Sequence, residues 1–104
     1  MSPAGSGTHN AAQLRLVAVI RALAGHEVFG RRLTDIAADV RASEPIVLRD
    51  LQALAATGWA AQDDSKLWRL GQEPVQIAIQ FFDGLRQAQA RVAETEQRYT
   101  RLPT

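Results

Sequence analysis

The sequence predicts a mainly α fold made of three short helices, a β-hairpin and one long C-terminal helix. Three observations carry this prediction. Apolar residues recur at helical spacing in three segments between residues 10 and 56. Two short strand-like stretches then flank a polar turn, and a sustained apolar repeat runs through the C-terminal third of the chain.

The chain has 104 residues, 46% of them hydrophobic, so there is room for one domain and one appended element. We expect a flexible leader at 1–9, a folded domain at 10–72 and a C-terminal dimerisation helix at 73–104. Cysteine is absent, which excludes disulfides and thiolate metal sites and is typical of a cytoplasmic protein. No apolar run approaches the ~20 residues of a membrane span, so no membrane association is expected.

The first predicted helix follows Asn10, whose side chain is suited to cap it, and stops near Gly25. Its apolar residues fall close to a spacing of 3.6 residues. Those expected to face the core are Leu14, Val17, Ala18 and Leu23, with Ile20 at the rim. Arg15 and Arg21 are expected to point outward.

A connector at 26–32 leads to the second helix, which the pattern places at 33–40. We expect Phe29 to fold from the connector back onto the core. Gly30 and Thr34 are both able to cap the helix, so its start is open by one turn. The residues expected to be buried are Leu33, Ile36, Ala37 and Val40.

The third helix begins where Ser43 offers an N-cap hydroxyl and Pro45 falls in the first turn, where a missing N–H does no harm. It is predicted to run to about Ala56 and to end at Gly58. The stripe expected to be buried consists of Val47, Leu51, Leu54 and Ala55.

Two strand-like segments, 59–62 and 67–70, flank the polar turn 63–66. Trp59 and Trp68 are interpreted as hydrophobic cover over the core. Three helices followed by a hairpin is the order of elements in a winged helix-turn-helix. The sequence therefore predicts a winged helix-turn-helix domain with a β-hairpin wing, followed by the long C-terminal helix.

From Pro74 to about Leu102 the chain is predicted to form one helix, about 43 Å long at 1.5 Å per residue. Its seam residues recur at alternating steps of four and three, which is the spacing of a coiled coil, and Gly84 interrupts the helix interior. The predicted seam consists of Ala78, Phe82, Leu85, Gln89, Val92, Glu96 and Tyr99. So long a helix cannot bury its whole face on a small domain, so we expect a homodimer held by Ala78, Phe82, Leu85, Val92 and Tyr99. The two polar seam positions leave parallel and antiparallel pairing open.

Two stretches, LTDIAADVRASEPIVLRDLQALAATGW and KLWRLG, resemble the N-terminal DNA-binding domain of IclR-type regulators. That family pattern has an acidic-Ile-Ala helix, then V-x-R-x-L-x-x-L-x-x-x-G, then a wing closing on Y-R-L-G. The matching residues are Asp35, Ile36 and Ala37; Val47, Arg49, Leu51, Leu54 and Gly58; and Trp68, Arg69, Leu70 and Gly71. The run 49–54 also resembles DeoR-type domains, and the match covers about residues 11–80.

The resemblance implies a transcriptional regulator that binds double-stranded DNA, with its third helix in the major groove and its wing on the backbone or minor groove. Glu44, Pro45 and Ile46 depart from the small polar or basic residues usual at the start of that helix. Arg41 stands where glycine is usual and would be strained at a positive φ. The family's effector-binding domain is missing here, so no small-molecule effector is expected.

Ten residues are candidate contacts to DNA. Arg49 is expected to project from the third helix toward guanine or a phosphate, or else to pair with Glu44 or Asp50. The acidic pair 63–64 beside Lys66 opposes a contact at the tip of the wing. The full set is Arg31, Arg32, Arg41, Ser43, Glu44, Ile46, Arg49, Gln52, Lys66 and Arg69.

No catalytic, metal or cofactor site is expected. His9 in the leader and His26 in a loop lack partners at spacings that suit acid–base or nucleophilic chemistry. Asp63 and Asp64 are interpreted as solvated turn residues rather than as metal ligands.

The net charge of +1 is small for a protein that binds phosphates, which usually carries a basic surplus. The alternative hypothesis is therefore a winged-helix protein–protein interaction module that does not read DNA. The two hypotheses differ in the surface they require. A continuous positive face favours DNA, and its expected members are Arg31, Arg32, Arg41, Arg49 and Lys66.

Overall fold

The computed structural model describes residues 10–101 and confirms the predicted fold class. Its elements are α1 (Ala11–Leu23), α2 (Leu33–Val40), α3 (Glu44–Ala56), β1 (Ala60–Gln62), β2 (Trp68–Leu70) and α4 (Gln72–Thr100). The first three helices and the antiparallel hairpin form a winged helix-turn-helix, and α4 is the long C-terminal helix. The chain divides into two compact units, Met1–Glu73 and Pro74–Thr104. The predicted leader, 1–9, lies outside the described residues.

The helix α1 begins after Asn10, whose side-chain oxygen accepts hydrogen bonds from two N–H groups of the first turn. Val19 and Leu23 are fully buried on its inner face. The prediction for Leu14 and Val17 is wrong, because these residues are 56% and 54% exposed. Apolar residues stand on more than one side of α1, so periodicity alone does not determine which side packs inward.

The turn between α2 and α3 reverses the chain through Arg41, which has φ 58° and ψ 50°. This left-handed conformation is the one foreseen for a position where glycine is usual, and it costs another residue roughly 1–2 kcal/mol. The N–H of Arg41 donates to the carbonyl of Ala38, and that of Ala42 donates to the carbonyl of Ala37. The strained residue thus closes the end of α2.

In α3, Ser43 occupies the N-cap position, but its side chain makes no capping hydrogen bond. Pro45 lies in the first turn, as predicted. The prediction for Ala55 is wrong, because this residue is exposed. Asp50, only 9% exposed, lies on the buried side instead. The other buried residues of α3 are Val47, Leu51 and Leu54.

The hydrophobic core lies between the three helices and the wing. Its buried members are Val19, Leu23, Ile36, Ala37, Val47, Leu51, Leu54, Ala60 and Trp68. Leu33 and Val40, predicted to be buried, are half-buried at its edge. A backbone bridge joins Arg31 to Trp68, with an N···O distance of 2.8 Å in each direction. The residue that precedes α2 by two positions is thereby fastened to the wing.

Phe29 does not fold onto the core as predicted, since it is 82% exposed. It stands on a turn closed by a hydrogen bond from the N–H of Gly30 to the carbonyl of His26, at 2.8 Å. Gly30 has φ 76°, and a Cβ there would lie 2.8 Å from the Cβ of Leu67, so the turn requires glycine. The closed turn holds Phe29 and Val28 at the surface.

The helix α4 starts at Gln72, two residues before the predicted Pro74, and its last described residue is Thr100. None of its residues is buried. The rings of Phe81 and Phe82 meet edge to face, with centroids 5.2 Å apart. Within residues 10–101, none of the helices has the length and apolar character needed to cross a membrane.

Candidate nucleic-acid interface

The turn before α3 and the first residues of α3 form one exposed edge of the winged unit. Arg41, Ser43 and Glu44 are all exposed there. Because the Ser43 hydroxyl does not cap the helix, it is free to donate to another acceptor. The N–H groups at a helix start favour an anion such as phosphate, whereas the Glu44 carboxylate repels it. This edge therefore combines one cation, one hydroxyl donor and one opposing charge.

The outward face of α3 carries Ile46, Arg49 and Gln52. All three are exposed, on the side away from the buried stripe. Steps of three residues make them neighbours along one helix face. Arg49 has no ion-pair partner in residues 10–101. This face therefore offers a guanidinium fork, an amide and an apolar branched side chain, which are groups that read base edges in the major groove.

Arg15 does not point outward as predicted, because it pairs with Asp50. Its Nε lies 2.6 Å from Oδ2 and its Nη2 lies 3.1 Å from Oδ1. These hydrogen bonds raise the pKa of Arg15 above its usual value. The pair borders a shallow hollow together with Ile46 and Arg49. Asp50 is thus bound from α1, which removes one of the two pairings considered for Arg49.

The two arginines before α2 have different surroundings. Arg31 Nη1 donates to the carbonyl of Ala22 at 3.0 Å and to Asp39 Oδ2 at 2.7 Å, and its side chain is only 17% exposed. The hydrogen bond from Arg31 lowers the pKa of Asp39. Arg32 is exposed, with Nε 3.7 Å from Asp35 Oδ2. Of the two, Arg32 is the one placed to reach a partner outside the domain.

Asp63 organises the tip of the wing. Its Oδ1 accepts hydrogen bonds from the N–H groups of Ser65 (2.8 Å) and Leu67 (3.0 Å), and its Oδ2 lies 3.0 Å from Arg69 Nη2. The backbone hydrogen bond from Leu67 is the main cause that lowers its pKa, with help from Ser65 and Arg69. Arg69 also donates to the carbonyl of Val28 at 3.3 Å. Both side chains are thus engaged within the domain, although the buried Nε of Arg69 has no hydrogen-bond partner among the described residues.

Arg41 and Lys66 share a backbone feature. With φ of 58° and 70°, they are the only non-glycine residues of the described chain at positive φ. Both are exposed, and neither has an ion-pair partner in residues 10–101. The conformation favours glycine, so each position carries a cation at a cost in backbone energy. Such strain is most often retained at functional sites.

Four ion pairs neutralise half of the carboxylates of the winged unit. They are Arg15–Asp50, Arg31–Asp39, Arg32–Asp35 and Arg69–Asp63. The unpaired cations at the turn, on α3 and on the wing are Arg41, Arg49 and Lys66. Arg31 and Arg69 are engaged inside the domain, so their predicted role as DNA contacts stays a prediction. Glu44 and Asp64 are the unpaired acids beside these cations.

The sequence-based reasoning missed the pairing of Arg15 with Asp50. A signal for it was present, because Asp50 lies between Val47 and Leu54 on the apolar stripe of α3. A carboxylate on a buried stripe requires a cation or several hydrogen-bond donors. The identity of that cation was not visible, because it comes from a different helix.

Among residues 10–101 no group of three or more His, Cys, Asp or Glu side chains is placed to hold a metal ion. His26 is half-buried in the turn that exposes Phe29, and His9 lies outside the described residues. The described structure therefore offers no cluster on which to build metal chemistry.

Comparison with solved structures identifies a similar protein. The crystal structure of Pseudomonas aeruginosa HmgR, an IclR-family regulator, aligns with a TM-score of 0.60 at 33% identity, over 80% of this chain. The chain spans only 36% of the HmgR chain. No family model and no curated protein matches this sequence. The resemblance to IclR-type domains thus has the support of a solved structure, whereas the DeoR-like features have none.

Proposed function

We propose that this chain is a transcriptional regulator that binds double-stranded DNA in a sequence-specific manner, with α3 in the major groove. The observation that carries the proposal is the outward face of α3, where Arg49 and Gln52 stand exposed. Arg49 does not pair with the neighbouring carboxylate of Asp50, because Arg15 Nε donates to Asp50 Oδ2 at 2.6 Å. The role is non-enzymatic and requires no cofactor.

The similarity to HmgR supports a regulatory, DNA-binding role in general. HmgR is a regulator, and the alignment with it covers 80% of this chain. Because this chain spans only 36% of the HmgR chain, the likeness bears on the domain alone. The groove contacts, the target sequence and the partners are our own proposals.

We assign different tasks to the residues of the interface. Arg49 binds the O6 and N7 acceptors of guanine, Gln52 an adenine or a phosphate, and Ile46 the methyl group of thymine. Glu44 accepts a hydrogen bond from cytosine N4, which offsets its repulsion of phosphate. The contacts proposed to phosphate are Arg32, Arg41, Ser43 and Lys66.

We further propose that two copies of the chain act together. Two-fold symmetry then gives a roughly palindromic site whose half-sites are about one helical turn apart, or a multiple of it. The residues predicted to hold the dimer are Ala78, Phe82, Leu85, Val92 and Tyr99. If Arg32, Arg41 and Lys66 each reach a phosphate in both copies, affinity falls with salt at a log–log slope of about −5.

The test is selection of duplexes from a random pool, followed by fluorescence anisotropy on the selected duplex and on an unrelated one. Arg49→Ala is expected to weaken binding to the selected duplex by about 10- to 100-fold, since one bidentate base contact is lost. Arg49→Lys keeps the charge but not the fork, so the preference for the selected duplex falls. Arg21→Ala on α1 is the matched control and changes little.

Two results would overturn the proposal. One is no binding of any duplex by the natural sequence at low salt, where phosphate contacts are strongest. The other is an equal loss of affinity in Arg49→Ala and Arg21→Ala. The first result would support the alternative function, a protein–protein interaction module. One observation favours that alternative, namely the hydrogen-bonded turn that exposes Val28 and Phe29.

A further inference from the structure

The exposed side of α4 contains an apolar repeat with a period of seven residues. Ala78, Leu85, Val92 and Tyr99 recur at that interval, and none of them is buried. A seven-residue apolar repeat needs a second set of positions, three or four residues further on, to form a coiled-coil seam. The choice of that second set decides how α4 pairs.

Two second sets are available. The set four residues on is Phe82, Gln89 and Glu96, which belongs to the predicted seam and places the Glu96 carboxylate in it. The set three residues on is Phe81, Ala88 and Thr95, which contains no charge. Burying a carboxylate without a partner is costly, whereas threonine bonds its own helix here, with Oγ1 2.9 Å from the carbonyl of Arg91. The uncharged set therefore gives the more stable seam.

The surface of α4 has a hollow on this face that accepts a side chain of a facing helix in either register, because the same residues surround position 88 of the uncharged set and position 89 of the predicted seam. It is lined by Leu85, Ala88, Gln89, Val92, Ala93 and Glu96. In a parallel coiled coil each side chain of the second set inserts between four residues of the facing helix. For Ala88 of a facing helix those four would be Leu85, Ala88, Gln89 and Val92, all of which line the hollow. The small Ala88 side chain leaves the space that the incoming residue fills.

Charges beside this seam distinguish the two orientations. Arg91 precedes the seam residue Val92, and Glu96 follows the seam residue Thr95. In a parallel in-register pair, flanking positions five residues apart meet across the seam, so Arg91 of each helix faces Glu96 of the other. In an antiparallel pair, the flanking positions on the Arg91 side of the seam face one another. The other charged residue on that side is Arg98, so Arg91 meets no carboxylate there. Within its own helix Arg91 has only a 4.0 Å contact with Glu94, between two exposed side chains.

We propose that a second copy of this chain covers this face of α4 in a parallel, in-register pair, with Arg91 of each copy beside Glu96 of the other. The inference rests on the proposed dimer, adds its orientation, and replaces Phe82 in the predicted seam with Phe81. Most of the buried apolar area comes from Phe81, Leu85, Val92 and Tyr99. Phe82 then flanks the seam, where it packs edge to face on Phe81.

Disulfide trapping tests the orientation, because the chain has no cysteine of its own. Ala78→Cys and Tyr99→Cys each place a single thiol at one end of the seam. A parallel in-register pair brings each thiol next to its own copy, within the Cα separation of about 4.4–6.8 Å that a disulfide spans. Both variants are therefore expected to form covalent dimers on mild oxidation. Ala90→Cys, on the opposite side of α4, is the control that stays monomeric on a denaturing gel.

An antiparallel pair would give the opposite pattern. Neither Ala78→Cys nor Tyr99→Cys would cross-link alone, because each seam residue of the first set then faces one of the second set. Ala78→Cys mixed with Thr95→Cys would cross-link, and this outcome overturns the proposal. Cross-linking of Ala90→Cys at the same rate as the seam variants also overturns it.

A charge exchange tests the register. Arg91→Glu places a carboxylate of each copy opposite Glu96 of the other. The repulsion occurs twice in the symmetric pair, so the dimer dissociation constant rises roughly five- to tenfold. The double variant Arg91→Glu with Glu96→Arg restores the attraction and the affinity. If sedimentation equilibrium shows no rescue in the double variant, the proposal is contradicted.

DNA binding is measured separately on the same samples. A dimer of this geometry that binds no duplex refutes the proposed function alone, and DNA binding without seam cross-linking refutes this inference alone.

Discussion

Arg15 of α1 binds Asp50 of α3 through two hydrogen bonds, Nε to Oδ2 at 2.6 Å and Nη2 to Oδ1 at 3.1 Å. The pair joins the first helix to the helix proposed to enter the major groove. It also keeps the Asp50 carboxylate away from Arg49, the residue proposed to read a base. One interaction thus positions α3 and leaves its outward face cationic.

Replacing Arg15 with methionine is expected to lower the free energy of unfolding, because the largely buried Asp50 carboxylate loses its counterion. The matched variant Arg21→Met, on the exposed side of α1, should have little effect. Arg15→Met combined with Asp50→Leu removes both charges and should recover most of the loss. Urea unfolding followed by circular dichroism measures all three. A double variant as unstable as Arg15→Met would show that the charge pairing is not what matters.

Arg41→Gly and Lys66→Gly are expected to stabilise the fold, each by up to about 1 kcal/mol, because glycine adopts a positive φ without strain. The same changes should weaken DNA binding and reduce the steepness of its salt dependence, since each removes a proposed phosphate contact. Arg41→Ala separates the two effects, because it removes the charge and retains the strain. Thermal unfolding and anisotropy across a salt series provide the measurements. Unchanged DNA affinity in both glycine variants would exclude these residues from the interface.

The wing is expected to lose stability in acid through Asp63. Its pKa in the folded state lies below the ordinary value of 3.8, so the carboxylate contributes stability that is fully present above that value. The contribution is lost as the pH falls through the lowered pKa. Asp63→Asn should therefore be less stable than the natural sequence at pH 7, and the difference should shrink below about pH 4.

Urea midpoints of both proteins between pH 7 and pH 2.5 test this expectation. Asp64→Asn is the control, because Asp64 is exposed and makes no ion pair within the described residues. A stability difference between Asp63→Asn and the natural sequence that stays constant over this range would contradict the assignment.

Two glycines are expected to respond to alanine in opposite directions. A Cβ at Gly71 would overlap the carbonyl oxygen of Gly58 and lie 2.8 Å from its carbonyl carbon, so the backbones of the two strand ends would have to move apart. Gly71→Ala should destabilise the winged unit by roughly 2–4 kcal/mol. Gly84→Ala in α4 meets nothing within 4 Å and should stabilise that helix by about 1 kcal/mol. Thermal unfolding of both variants checks the two signs together.

Much of the fold could be predicted because its signals are local. Asn10 caps α1, Pro45 opens α3, and the polar residues around Asp63 form the turn of the hairpin. Each of these depends on a side chain and a backbone group only a few residues apart. For Arg41 the signal was the resemblance to IclR-type domains, in which glycine is usual at this position, so that a positive φ there would be strained.

The candidate site was less predictable, because it depends on which charges remain free. In sequence Arg31, Arg49 and Arg69 are equivalent cations. Only packing shows that Arg31 bonds Ala22 and Asp39, that Arg69 bonds Asp63, and that Arg49 has no such partner in the described chain.

The sequence by itself determined the order of helices and strands, the Asn10 cap of α1 and the winged helix-turn-helix topology, because these follow from short-range periodicity and turn chemistry. The expected caps of the other two helices did not form, since Arg32 is the N-cap of α2 in place of Gly30 or Thr34, and the Ser43 side chain makes no capping hydrogen bond. Only the tertiary structure decided that α1 turns Val19 and Leu23 inward, that Phe29 stays outside, and that Arg15 binds a carboxylate 35 positions away. Helix faces and distant ion pairs depend on which surfaces meet in space. Which helix faces contact each other depends on the packing of the whole core and not on the pattern within any one segment.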